Sequence, residues 1–243
     1  MRPALQAFDL KMTDNKDVNG SEITAPEPAE TQDDERMCVV PPNVIKRLPR
    51  YYRYLRALLA DDVRRVSSHE LANFMNLTAS QIRQDFSRFG GFGQQGYGYS
   101  VSQLKEEIKN ILGLNNDYKA ILIGAGNLGK AVAMHMNFEK LGFELIACFD
   151  NNEQKVGSKL NGITVKNESE LDDFCNKNHI DTAFLCIPRV CVENVLDKLY
   201  SHGIKNYWNF SHYDINARYN DTMVENVHLS DSLMTLCYRM NNN

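Results

Sequence analysis

Apolar positions along the chain fall into three successive patterns, and each predicts a different kind of structure. Over residues 1–36 they stand isolated among Asn, Asp, Glu, Thr and Pro and share no period. That predicts a disordered acidic tail, residues 1–40. From Pro41-Pro42 to residue 100 they recur at helical spacing. Ile45, Leu48, Tyr52, Leu55, Leu58 and Leu59 form a first stripe, and Pro49 inside it predicts a kink or a late helix start. Ser67 with Glu70 makes a capping box before Leu71, Phe74 and Met75. Thr78 with Gln81 makes a second, opening a helix whose inner face is Ala79, Ile82, Phe86 and Phe89. Two short helices joined through Asn76-Leu77 have the spacing of a helix-turn-helix, and GGFGQQGYGY (90–99) suits the wing of a winged helix. The predicted winged-helix domain is 41–100.

The third pattern begins after an amphipathic linking helix, within 101–117, whose apolar face is Val101, Leu104, Ile108, Ile111 and Leu112. From there KAILIG, ELIACFD, GITV, DTAFLCIP and KNYWNF read as strands alternating with helices. Such alternation predicts an α/β Rossmann-type domain with a mostly parallel sheet, residues 118–227. A last helix within 228–243 carries Leu229, Leu233, Leu236 and Met240 as one stripe, which has to pack on its own domain or on a second subunit.

The strand–helix junction KAILIGAGNLG carries the chemistry. Gly124, Gly126 and Gly129 give G-x-G-x-x-G directly after a strand. The first glycine permits the tight turn, the second lets a pyrophosphate approach the backbone, and the third lets helix and strand pack closely. Asp150 closes the next strand, 21 residues after Gly129. A carboxylate there hydrogen-bonds ribose hydroxyls and repels a 2′-phosphate, which favours NAD(H) over NADP.

Charge sharpens the picture of the middle segment. The chain has 243 residues and a formal charge of −4. Residues 1–40 carry 4 basic and 9 acidic groups, residues 41–100 carry 9 and 4, and residues 101–243 carry 14 and 18. One basic segment on an acidic protein points to a face for double-stranded DNA. On the third helix Gln81 and Arg83 face outward, where Arg reads guanine and Gln reads adenine, and Arg88 follows. Ser67, Ser68, Lys46, Arg47, Arg50 and Arg53 suit phosphates.

Composition removes several other classes. No run of 18 apolar residues exists, so no membrane span is expected. The N-terminus lacks the apolar core of a signal peptide, which argues for the cytoplasm. The six cysteines include no CxxC and the six histidines no zinc spacing, so buried free thiols and no bound metal are expected. Two other readings stay open on the residues. One is an NAD-dependent oxidoreductase, for which His212 is the nearest candidate acid. The other is a DNA-binding paralogue whose Rossmann domain only dimerises.

Six segments resemble the Rex family of bacterial redox-sensing transcriptional repressors: RLPRYYRYLRAL (47–58), RVSSHELANFMNLTASQIRQDFSRFGGFG (65–93), GYGYSVSQL (96–104), GAGNLGKA (124–131), CFDNNEQKVG (148–157) and GIKNYWNF (203–210). The resemblance implies a homodimer with the terminal helix swapped onto the partner. It implies repression at palindromic operators and release when NADH binds. It assigns the cofactor to Gly124, Gly126, Asn127, Leu128, Gly129 and Asp150, with Ile187-Pro188 near the nicotinamide. It assigns DNA to Ser67, Ser68, Gln81 and Arg83.

The chain also departs from the family pattern. His135 and His228 stand where the family has a Tyr and an Asp that, with Arg56, link the two domains during switching. His212 replaces a Pro, and Val192-Glu193 replace Ala-Gln. Gln84 and the wing residues Gln94 and Gln95 replace basic residues, and Arg88 replaces a Tyr. The Arg56–carboxylate chemistry of the switch has no equivalent in an imidazole, so altered coupling between NADH and DNA is expected.

Overall fold

The computed structural model describes residues 40–89, 93–94 and 97–242. The predicted acidic tail and much of the wing, including Gln95, lie outside the described residues.

The N-terminal lobe opens with α1 (Pro42–Ile45) and α2 (Leu48–Ala60). Pro49 sits in the first turn of α2, where its missing N–H breaks no hydrogen bond, so the helix starts late rather than kinking. The buried positions of α2 are Leu48, Tyr51 and Leu55, while Ile45 is exposed. Strand β1 (Arg65–Val66) leads into α3 (Ser68–Met75) and α4 (Ala79–Ser87). Both capping boxes form: Ser67 Oγ accepts from the Glu70 N–H at 3.1 Å, and Thr78 Oγ1 accepts from the Gln81 N–H at 3.1 Å. Asn76 ends α3 in a left-handed conformation, φ 54°, which turns the chain into the next helix.

Strands β2 (Gly93–Gln94) and β3 (Gly98–Ser100) complete a three-stranded antiparallel sheet in the order β1-β3-β2. Helix α5 (Val101–Ile111) then buries Val101, Leu104 and Ile108 in the same core as Leu48, Leu55, Leu71 and Ile82. The helix read as a linker is therefore a wall of the N-terminal core. Its stripe is apolar because it packs here, not because it bridges to the next lobe.

The C-terminal lobe contains β4 (Tyr118–Ile123), α6 (Asn127–His135), β5 (Phe143–Asp150), β6 (Lys159–Leu160), β7 (Ile163–Asn167), α7 (Leu171–Lys177), β8 (Thr182–Leu185), α8 (Val192–Ser201), β9 (Asn206–Asn209), α9 (Ile215–Arg218), β10 (Met223–Asn226) and α10 (Leu229–Asn241). The sheet runs β10-β9-β8-β4-β5-β7-β6, parallel except for the β6–β7 hairpin. Both faces of its central strands are covered, which explains the unbroken apolar runs of β4 and β8. Ile121, Ile123, Phe149 and Leu185 face one core with α8, and Leu122, Cys148 and Phe184 face the other. Strand β10, VEN in a polar stretch, lacks the apolar signature that marks the others.

On the face carrying Phe138, Phe143, Phe184 and Trp208, a cavity of about 560 Å³ opens beside β9 and β10. Helix α10 has no buried residue: Leu229, Leu233, Leu236 and Met240 are 51–71% exposed.

Candidate cofactor cleft and DNA-binding face

The glycine-rich turn links β4 to α6 at the C-terminal edge of the sheet, where α/β domains gather ligands. Its geometry leaves no room for side chains at two of the three glycines. A Cβ on Gly129 would lie 1.8 Å from the Gly124 carbonyl oxygen. Gly124 has φ +98°, and a Cβ there would lie 2.6 Å from the Cys186 carbonyl oxygen. Gly126 differs, because the space above it is open up to the Lys155 ammonium at 3.9 Å. No side chain caps the start of α6 at Gly126, so the first-turn N–H groups are presented for an anion.

Asp150 ends β5 and is 6% exposed. Its Oδ2 accepts from the Ala125 N–H at 2.7 Å and the Lys155 ammonium at 3.1 Å, and its Oδ1 accepts from the Asn152 N–H at 2.8 Å. Burial pushes this carboxyl up, but the Asn152 N–H, Lys155 and the Ala125 N–H outweigh it and hold the group below its ordinary value. Three donors leave acceptor capacity for a ribose hydroxyl, since a carboxylate has about four lone-pair sites.

A cleft of about 530 Å³ joins these parts and is lined by Gly124, Gly126, Asn127, Leu128, Asp150, Ile187, Pro188 and Phe210, with Gly124 packed directly against Ile187. Seven of the eight predicted cofactor residues line it, and the eighth, Gly129, lies beneath the loop and lets α6 approach. The residues fit a dinucleotide: an open glycine for the pyrophosphate, a partly free carboxylate for a ribose, and the apolar side chains of Ile187, Pro188 and Phe210. Sequence reasoning missed Lys155 and Phe210. The signal for Lys155 was a lysine five residues past the strand-ending acid, close enough to return to it.

Cys186 lines this cleft, and Cys148 is buried in the core beneath the sheet. Burial pushes the Cys148 thiol up to about 11 and the Cys186 thiol up to about 12. Both stay protonated near neutrality, in keeping with free thiols that are poor nucleophiles. Among the described residues no group of three or more His, Cys, Asp or Glu side chains is placed to hold a metal ion.

On the N-terminal lobe, Arg83 projects from the first half of α4 and donates from Nη1 to Ser68 Oγ at 3.1 Å. This hydrogen bond joins the predicted base-reading arginine to the start of α3. Gln81 uses its Oε1 on the Thr78 N–H at 3.0 Å, which leaves its amide donors outward. Lys46 and Arg53 are exposed, and Arg88 is half-buried at the end of α4. Arg50 reaches the Met75 carbonyl at 3.4 Å and so serves the end of α3.

Arg47 requires a correction. Its Nε and Nη2 donate to the two oxygens of Asp85 at 2.8 and 2.6 Å, and Tyr51 donates its hydroxyl to the same carboxylate at 2.8 Å. Asp85 is 3% exposed. An arginine engaged bidentately with a buried acid holds the lobe together and is not available to a phosphate. Asp85 was missed because its place beside Ile82 and Phe86 on the inner face of α4 holds a charge, not an apolar residue. Arg65 was missed as well; its guanidinium donates to the Tyr97 carbonyl at 3.0 Å beside β3.

The three predicted switch residues are not joined to one another by any hydrogen bond or ion pair among the described residues. The Arg56 guanidinium lies 6.0 Å from the Tyr52 ring centroid. His135 ends α6 and is exposed. His228 precedes α10 and meets His212, with ring centroids 4.6 Å apart and the two Nδ1 atoms at 2.5 Å.

Residues 39–87 match a family model described as "Putative DNA-binding protein N-terminus", and residues 115–213 match one described as "CoA binding domain". The redox-sensing transcriptional repressor Rex of Thermoanaerobacter sp. (strain X514) is 51% identical over 198 residues, 82% of this chain and 88% of that protein. The Rex protein of Clostridium perfringens (strain SM101 / Type A) is 48% identical over 200 residues, 82% of this chain and 94% of its own. The crystal structure of RSP in complex with β-NAD+ and operator DNA superimposes with a TM-score of 0.77 at 50% identity, covering 84% of this chain and 94% of that one. RSP in complex with β-NADH superimposes with a TM-score of 0.77 at 46% identity, covering 84% and 95%. With half its residues shared over four fifths of its length, the chain belongs to the Rex family of redox-sensing transcriptional repressors.

Proposed function

We propose that this chain is a cytoplasmic, homodimeric repressor that binds a palindromic operator through its winged helix and releases it when NADH occupies the cleft of its Rossmann domain. The observation that carries the reading is the cleft itself. Its glycine turn, first-turn N–H groups, Asp150 and Lys155 suit a dinucleotide, and a capped helix-turn-helix stands in the same chain. NADH or NAD+ would lie with its adenosine ribose on Asp150, its pyrophosphate on Gly126, Asn127 and Leu128, and its nicotinamide toward Ile187 and Pro188. The nucleotide serves as a signal: a ligand that binds one arrangement of the dimer better than another shifts the population toward it.

On the DNA side, Arg83 and Gln81 reach base edges, and Ser67, Ser68, Lys46, Arg53 and Arg88 meet the backbone. The apolar stripe of α10 covers the Phe184–Trp208 cavity of the partner subunit, which accounts for both the exposed helix and the empty groove. Calorimetric titration of the full chain with NADH, NAD+ and NADPH, with coenzyme A as control, tests the ligand assignment. Binding of NADH without turnover supports it, and tighter binding of coenzyme A than of NADH overturns it.

A second reading, that NADH binding is kept but its coupling to DNA release is altered, is favoured by His228 being engaged with His212 instead of Arg56. Operator release at the NADH fraction that releases the Thermoanaerobacter relative would sink it.

A further inference from the structure

Strand β1 runs antiparallel to β3, with Arg65 opposite Ser100 and Val66 opposite Tyr99. Side chains alternate along a strand, so Val66 enters the core while Arg65 is exposed. The Arg65 side chain reaches the turn between β2 and β3. Its Nη1 donates to the Tyr97 carbonyl at 3.0 Å, and its guanidinium carbon lies 5.9 Å from the Tyr97 ring centroid. That ring is 69% exposed. Among the described residues no ion pair engages Arg65, whereas Asp85 holds Arg47. A single bond to a carbonyl leaves most of the guanidinium's N–H donors for another acceptor.

This guanidinium stands at the edge of the lobe where α3 begins. Gly98 crosses β1 closely: its φ is +68°, and a Cβ there would lie 2.7 Å from the Val66 carbonyl oxygen and 3.5 Å from the Ser67 Cα. Ser67 caps α3, and Ser68 after it accepts from Arg83 Nη1 at 3.1 Å. Glu70, the acid of that first turn, accepts from the Ser67 N–H at 2.7 Å. A continuous line of contacts therefore leads from Arg83 on α4 through Ser68, Ser67 and Gly98 to Tyr97 and Arg65. The wing stretch 90–99 contains no Lys or Arg of its own. Positive charge reaches that turn from β1, through an arginine tied to a backbone carbonyl.

A duplex whose major groove receives α4 presents a sugar–phosphate strand on each side of that groove. The line of contacts from Arg83 ends on such a flank. We propose that Arg65, positioned by Tyr97, is a phosphate contact of the operator beside the bases read by Arg83. This inference rests on the DNA-binding face of the proposed function and extends it to the wing. An arginine binds phosphate through two parallel N–H bonds, and such a contact sets register without reading sequence. Tyr97 is a positioning residue: its carbonyl and ring hold the guanidinium in one place, so less side-chain freedom is lost when a phosphate arrives.

The test measures affinity of the full chain for the operator used in the RSP complex, by fluorescence anisotropy between about 50 and 200 mM salt. The natural chain is compared with Arg65→Gln, Arg65→Lys and Arg64→Gln. Each phosphate contact contributes about 0.9 to the slope of log affinity against log salt, and a homodimer has two copies of Arg65. Arg65→Gln therefore flattens the slope by about 2 and weakens binding about tenfold or more, equally on matched and mutated duplexes. Arg65→Lys keeps the charge and holds the slope within about half a unit of the natural one. Arg64 is exposed, and among the described residues its side chain makes no bond to the wing turn. Arg64→Gln therefore flattens the slope by less than about 1. Urea unfolding checks that each variant is folded, and a role confined to holding the wing lowers affinity without moving the slope. An unchanged slope in Arg65→Gln, an equal change in Arg64→Gln, a slope that lysine does not restore, or a loss that varies with duplex sequence overturns the phosphate contact and leaves the DNA-binding face standing. Failure of the natural chain to bind the duplex at any of these salt concentrations overturns the DNA-binding face and the contact with it.

Discussion

The two lobes solve the problem of positioning a functional surface by different means. In the N-terminal lobe, side chains do it: Asp85 sits buried with Arg47 and Tyr51, and the capping boxes at Ser67 and Thr78 fix where α3 and α4 begin. In the C-terminal lobe, backbone does it: the glycine turn is held by carbonyl groups that leave no space for a Cβ at Gly124 or Gly129. The first arrangement is sensitive to loss of charge, the second to gain of volume. Each lobe should therefore respond to a different class of substitution.

The largest effect is expected in the backbone-built turn. Gly129→Val would drive a side chain into the Gly124 carbonyl, since even a Cβ would lie 1.8 Å away. NADH affinity should fall more than about 100-fold, with stability lowered by about 3 kcal/mol or more. Equilibrium urea unfolding and NADH fluorescence read the two quantities, and a variant that binds normally would break the contrast.

Next is the charge in the N-terminal core. Asp85→Ala leaves Arg47 and Tyr51 without their acceptor, and Arg47 is partly solvated at 22% side-chain exposure. The expected loss is about 2–4 kcal/mol, somewhat discounted from a fully buried pair. Urea unfolding measures it, and replacing both partners, Arg47→Met with Asp85→Leu, should recover most of it. If the single substitution proves neutral, the charged cluster does not organise the lobe.

Arg83→Ala should weaken operator affinity by about 1–3 kcal/mol and relax the sequence preference, with NADH affinity and unfolding unchanged. Fluorescence anisotropy with matched and mutated duplexes separates a base contact from a phosphate contact. A uniform loss across sequences would reassign Arg83 to the backbone. Ser67→Ala removes one cap and should cost about 1 kcal/mol, visible as a lower urea midpoint.

The smallest effect sharpens the other side of the comparison. The Asp150 carboxyl lies below its ordinary value in the folded protein. Its contribution to stability is present above the unfolded value, about 3.9, and fades as pH falls through the folded one. Lys155→Ala raises the folded value, so acid unfolding should begin at slightly higher pH, and NADH affinity should drop a few-fold. An unchanged acid limb would mean that Lys155 does not support the Asp150 carboxylate.

The sequence was legible wherever a local rule acted alone. Capping boxes, the late start at Pro49, the glycine turn and the strand-ending Asp150 all appear where the residues place them. Legibility failed where tertiary partners decided. Arg47 looked like any exposed cation until Asp85, 38 residues away, took its guanidinium. The stripe on α5 is the same whether the helix links domains or walls a core, and only Leu48 and Leu55 opposite it decide the matter. Strand β10 exists because β9 offers it an edge, not because Met223–Asn226 favours extension. The pairing of His212 with His228 needed the parallel register of β9 and β10, which no spacing of two histidines reveals.

The central claim is that the state of the nicotinamide nucleotide controls DNA binding. The direct measurement is anisotropy of a labelled duplex, the operator used in the RSP complex, with the full chain at fixed total NAD+ plus NADH while the NADH fraction is raised. The account predicts retained binding with NAD+ alone and progressive release as NADH replaces it. Constant DNA affinity across all fractions, with both nucleotides shown to bind, would contradict it.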